Sequence, residues 1–183
     1  MRIIVPLVLV GVFGLFSLVI LGMGANWAEF EKPIGQQPVA FPHDFHTGSG
    51  LGKLSNGEEV GKLGLQCTHC HLYVEKSRFA TVPPMKVCKD CHQNLPPRTT
   101  ELQKLKTYLD NDQPIPWVKI HNIPPHVYFS HKRHIKANID CAACHGDMTV
   151  VKTVTRVRSF EMGFCVSCHR ANNAPQDCWT CHY

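Results

Sequence analysis

FSHKRHIKANIDCAACH, residues 129–145, carries two kinds of histidine. His145 directly follows a Cys-x-x-Cys pair, whereas His131 and His134 stand ahead of it with no cysteine beside them. What the second kind does depends on the other cysteines. All ten fall into one pattern with none left over: CTHCH (Cys67, Cys70, His71), CKDCH (Cys88, Cys91, His92), CAACH (Cys141, Cys144, His145), CVSCH (Cys165, Cys168, His169) and CWTCH (Cys178, Cys181, His182).

The spacing has a chemical reason. Two thiols three residues apart add to the two vinyl groups of a haem, and the adjacent histidine then lies under the iron as proximal ligand. Five motifs therefore predict five haem c groups. A disulfide framework, or a set of Cys-x-x-Cys zinc sites, would have to acquire the following histidine by chance at every motif. Covalent haem attachment takes place outside the cytoplasm, which puts residues 67–182 on that side.

An internal repeat then assigns the other histidines. FPHDFH (Phe41–His46) precedes CTHCH and MKVCKDCH, and FSHKRH (Phe129–His134) precedes CAACH and MGFCVSCH. In each unit two histidines without a cysteine neighbour precede two haem motifs, the number needed to fill the sixth position of two irons. His43, His46, His131 and His134 are accordingly expected as distal ligands. The fifth distal ligand is expected from IPWVKIHNIPPHVYF, with His121 favoured and His126, Met162, Met148 or Met85 as alternatives. A methionine ligand would raise that haem's potential. Met85 and Met162 each lie three residues before a cysteine, a position suited to packing against a ring. His69 lies inside its own Cys-x-x-Cys loop and is read as a packed or propionate-bonded side chain.

Outward from the haem motifs, Ile3–Ala25 is an uncharged apolar run longer than the ~20 residues a membrane span requires and longer than the ~7–15 residues of a signal peptide's apolar region. Small residues at Gly22 and Gly24 would suit a cleavage site, but the length favours an uncleaved signal anchor over residues 1–26. Arg2 before the span places the N-terminus in the cytoplasm. Residues 27–183 then form a pentahaem domain on the periplasmic face of a bacterial cytoplasmic membrane, with repeat units at about 41–92 and 129–169 and a terminal motif at 178–182.

Twelve of the thirteen prolines follow residue 30, and long periodic segments are scarce. One helix is marked by a capping box at Thr100 and Gln103, by Leu102, Leu105 and Leu109 on one face, and by Asn111 and Pro114 at its end. No β-hairpin is expected. The fold class is mostly α with extensive loops, a multihaem cytochrome of class III-like repeats behind a single N-terminal transmembrane helix. So little apolar periodicity makes an ordinary core hard to build, which leaves the macrocycles to supply it and couples folding to haem binding. The formal charge of +5 falls to about zero if each ferric haem adds about −1 through its propionates. No basic run suggests nucleic acid.

F-x-H-x-x-H ahead of CxxCH resembles the small class III multihaem cytochromes. The apolar N-terminus, the five motifs, PIPWVKIHNIPPHVYFSHKRHI and MGFCVSCHR together are similar to the pentahaem cytochrome subunit of alternative complex III. The resemblance implies a bacterial quinol:electron acceptor oxidoreductase whose partners are an iron–sulfur subunit, polytopic quinol-handling membrane subunits and a monohaem cytochrome c. If every iron holds two protein ligands, no position remains for a substrate, and the chain carries electrons without being an enzyme by itself. A multihaem reductase would need one open iron. A single-anchor quinol dehydrogenase would need a haem at the membrane, yet the first motif begins at Cys67.

Overall fold

Proline ends helices early, and among the described residues of the computed structural model two helices reach eleven residues or more. The structure describes the backbone of residues 4–27 and 36–182, with side chains at 9–22 and 36–182. Two compact units result, residues 1–35 and 36–183.

The first unit contains helix α1 (Ile4–Trp27), whose large apolar side chains from Leu9 to Leu21 are all exposed. Among the described residues no helix is long and apolar enough to cross a membrane. Residues 1–3 and 28–35, part of the expected anchor and of its junction, lie outside the described residues.

The second unit runs through α2 (His43–Thr47), β1 (Leu51–Lys53), β2 (Glu59–Gly61), α3 (Cys67–Cys70), α4 (Met85–His92), α5 (Thr100–Asp110), α6 (His131–Lys136), α7 (Cys141–His145), α8 (Met162–Ala171) and α9 (Cys178–Cys181). Every Cys-x-x-Cys pair lies on a short helix. Asp140 and Asp177 cap two of these, accepting bonds from Ala142 N (2.7 Å) and Thr180 N (3.0 Å).

Two expectations need correction. The α5 cap is Thr99, whose hydroxyl accepts from Leu102 N at 3.2 Å, one residue before the anticipated Thr100. A hairpin also exists: β1 and β2 pair antiparallel with Gly52 opposite Val60. Its turn closes through Gly57 N to Leu54 O (2.9 Å), and Gly57 takes the left-handed φ of +89° that a side chain would resist. The Asn56-Gly57 pair was the available signal.

Among the described residues buried apolar side chains are few: Val39, Val74, Leu109 and Ile115. Polar ties join distant segments instead. Gln37 exchanges two hydrogen bonds with the Val118 backbone, both 2.9 Å, and Ala40 N donates to Glu101 at 2.6 Å. Asp44 N reaches Val151 O (2.8 Å) and the Thr47 hydroxyl reaches Met148 O (3.1 Å), fastening α2 to the loop after α7.

Candidate haem-binding site

The two F-x-H-x-x-H stretches fold alike. Each puts two histidines on one short helix, with the phenylalanine edge-on to the first and nearly face-on to the second. Phe41 lies 4.7 Å from His43 at 80° and 4.3 Å from His46 at 22°; Phe129 lies 4.8 Å from His131 at 87° and 4.7 Å from His134 at 30°. The aromatic ring thus sets two imidazoles at different angles, which sends them towards different partners.

Those partners are the motif histidines. His46 faces His92 with ring centroids 6.1 Å apart, His134 faces His169 at 6.0 Å, and His131 lies parallel to His145 at 6.4 Å and 10°. His43 is near enough to His71 for a charge there to disfavour its own protonation. The fifth pair is His126 with His182, 5.6 Å apart at 22°, held by the Val127–His182 bridge and by Tyr128 N to Cys181 O at 2.7 Å.

These separations fit a metal between two imidazoles. A metal–nitrogen bond of about 2.0 Å, extended by about 1.1 Å to each ring centre, predicts about 6.2 Å between centroids. His121 does not fit that rule. Its ring meets His145 at 4.6 Å and 86°, too close for an iron between them, with Phe160 at 5.5 Å. The structure thus sets His126, not the favoured His121, opposite His182. His121 Nε2 is buried without a partner.

Burial favours the neutral form of several of these rings. Burial holds His43 and His145 well below the usual imidazole range, each down to about 4, with neighbouring histidines adding to the effect. Burial likewise lowers His46, His92, His121 and His131. Carbonyls fix the tautomer: Nδ1–H donates to Pro42 from His46 (2.9 Å), to Thr81 from His71 (2.8 Å), to Arg78 from His131 (3.0 Å), to Ser130 from His134 (2.8 Å) and to Pro175 from His169 (2.6 Å). A carbonyl can only accept, so Nδ1 carries the proton and the Nε2 lone pair is left for a metal.

All ten thiols are free. Burial raises Cys70, Cys88, Cys141, Cys144 and Cys165, and thiols of other motifs add to each shift. Among the described residues no cluster of three or more His, Cys, Asp or Glu is arranged to hold a bare metal ion. A cavity of about 490 Å³ beside Cys91 is lined by His69, Leu72, Pro84 and Val87. Met85 and Met162 open α4 and α8, Met162 with its side chain exposed, and Met148 accepts the Thr47 bond through its carbonyl.

Facing imidazoles, with paired thiols beside one member of each pair, define a c-type cytochrome carrying several haems. Comparison with known proteins agrees. Residues 127–183 match the family of cytochrome c7 and related cytochrome c. The chain is 35% identical over 65 residues to cytochrome c3 of Desulfuromonas acetoxidans, covering 93% of that protein and 36% of this chain. It is also 28% identical over 112 residues to the multiheme cytochrome c subunit of menaquinone reductase from Nitratidesulfovibrio vulgaris (strain Hildenborough), covering 60% of this chain. That match spans 46% of the relative, somewhat under half its length. The chain belongs to the multihaem cytochromes c of the c3 and c7 type.

Proposed function

We propose that the chain carries electrons through five bis-histidine haems as the multihaem subunit of a membrane quinol:acceptor oxidoreductase, the role the pentahaem subunit plays in alternative complex III. The observation that carries this reading is that four of the five motif histidines face a second histidine, His46 with His92, His131 with His145, His134 with His169 and His126 with His182, while His43 lies within electrostatic reach of the fifth, His71. Paired thiols attach each group, as in Cys67 and Cys70. Bound haem supplies an iron that takes up and releases one electron. The protein's part would be to orientate His46, His71, His131, His134 and His169 through Nδ1–H, leaving their Nε2 lone pairs for the metal, and to leave no coordination position for a substrate. On this reading the chain is no enzyme by itself.

The multihaem subunit of a menaquinone reductase among the relatives supports placement beside a quinone-reactive complex. The partners that follow are an iron–sulfur subunit, polytopic quinol-handling subunits and a monohaem cytochrome c. The uncharged apolar run Ile3–Ala25 is what motivates a single anchor with the haem domain on the periplasmic side. Ser17 is the only polar side chain between Ile3 and Met23, so quinol chemistry is assigned to other chains. Stopped-flow mixing of the isolated holoprotein with a reduced quinol tests this. Slow or absent haem reduction, restored by the other subunits, is expected; rapid reduction of the isolated chain would favour a single-anchor quinol dehydrogenase instead.

A low-temperature EPR redox titration tests the ligand set. Five low-spin centres are expected, with His131→Ala and His134→Ala each opening a different one. A high-spin centre in the unaltered protein would favour a multihaem reductase.

A further inference from the structure

The two repeat units hold their first distal histidine differently. In the first, His43 Nδ1 is buried without a partner. The equivalent atom of the second, His131 Nδ1, donates to Arg78 O at 3.0 Å, across 53 residues and into the other unit. The same segment holds more. His131 N also reaches Arg78 O (3.1 Å), Lys132 N reaches Ser77 O (3.1 Å), and His71 Nδ1 reaches Thr81 O (2.8 Å). Residues 77–81 therefore grip the distal ring of one unit and the proximal ring of the other.

The strap is shaped for this. Thr81 adopts a φ of +60°, a left-handed conformation costly for a β-branched residue, and it turns the Thr81 carbonyl towards His71. The Ser77 hydroxyl accepts from Phe79 N at 3.2 Å, tightening the bend between the two carbonyls.

We propose that residues 77–81 are a positioning strap that joins the two repeat units at the His71 and His145 sites, so that the five sites form one row in the order His92, His71, His145, His169, His182. The inference rests on the bis-histidine reading above. The other three links are local. His43 and His46 share α2, which makes the His71 and His92 sites neighbours, and His131 and His134 share α6, which does the same for His145 and His169. His169 Nδ1 donates to Pro175 O, three residues before Cys178, which sets the His182 site beside it. The thiols follow the same sequence of neighbours: Cys70 lies within electrostatic reach of Cys91, Cys141 of Cys67, Cys144 of Cys168 and Cys165 of Cys181. The two ends of the row are then the CKDCH and CWTCH sites, where exchange with partners would occur, and CTHCH is interior although it comes first in the chain.

The test uses full-length holoprotein and EPR redox titration. His43→Met, His46→Met, His131→Met, His134→Met and His126→Met each mark one centre by raising its potential. A glycine inserted between Phe79 and Ala80 moves the two carbonyls apart. The expected result is a changed g-tensor at two centres only, those marked by His43→Met and His131→Met. A change at neither, at one alone, or at the centres marked by His46, His134 or His126 would overturn the strap. Thr81→Gly keeps the chain length and loosens the carbonyl over His71, so it should alter the His43-marked centre alone; an unaltered spectrum there would also overturn it. The row is read from spin–spin broadening: the centre marked by His131→Met should couple to two others, and that marked by His126→Met to one. Coupling of the His126-marked centre to the His43-marked one would overturn the order. If the methionine variants shift no centre, the ligand reading fails instead, before the strap is tested.

Discussion

His126→Ala separates the two histidines of the proline-rich approach more sharply than any other change. The His126 side chain is exposed, so its loss removes little packing, within about 0.5 kcal/mol for a surface position. The backbone that seats the terminal site survives, because the Val127–His182 bridge and the 2.7 Å bond from Tyr128 N to Cys181 O do not use the ring. What disappears is one imidazole at 5.6 Å from His182. One motif in five should therefore lose its sixth ligand, turning about one fifth of the haem high-spin and admitting about one carbon monoxide per chain. His121→Ala should admit none, since the 4.6 Å edge-on contact with His145 excludes an intervening iron. His126→Met should restore a low-spin centre at a higher potential. Carbon monoxide titration with EPR of the three variants is the assay. If His121→Ala opens an iron and His126→Ala opens none, the geometric argument fails.

Leu109→Ala removes a side chain only 4% exposed from a core of few members; a loss of about 2–5 kcal/mol is expected, lowering Tm by roughly 5–20 °C in calorimetry of the holoprotein. Thr99→Ala removes the hydroxyl that accepts from Leu102 N and should cost about 1 kcal/mol, a Tm decrease of about 2–4 °C, whereas Thr100→Ala should cost less. Protein made without haem attachment should show no cooperative calorimetric transition, because the four apolar side chains buried among the described residues cannot offset the chain entropy of the domain.

Local chemistry was legible in the sequence because it is written locally. A Cys-x-x-Cys-His motif carries its own spacing, and F-x-H-x-x-H places two imidazoles and their aromatic support within one turn, as Phe41 and Phe129 both do. The pairing of His126 with His182 was not legible, because a two-residue bridge between segments 55 residues apart sets it, and no pattern near His121 or His126 announces it. The hairpin was missed for a different reason: its strands are three residues each, too short to show alternation, although Asn56-Gly57 marked the turn. The Thr99 cap lay one residue from its anticipated place because adjacent threonines offer the same hydroxyl, and only the backbone angles decide between them.

The bond from His131 to Arg78 changes what the internal repeat means for this chain. Two copies of one unit would each be expected to mature alone, and a break in the connection from residue 93 to 128 would then be harmless. Yet the first copy presents the carbonyls of Ser77 and Arg78 to the second, and the second orientates a ring with a group it does not encode. Circular permutants and split genes cut in that connection should accumulate only when both fragments are made together, so the inheritance of the repeat is modular while its maturation is not.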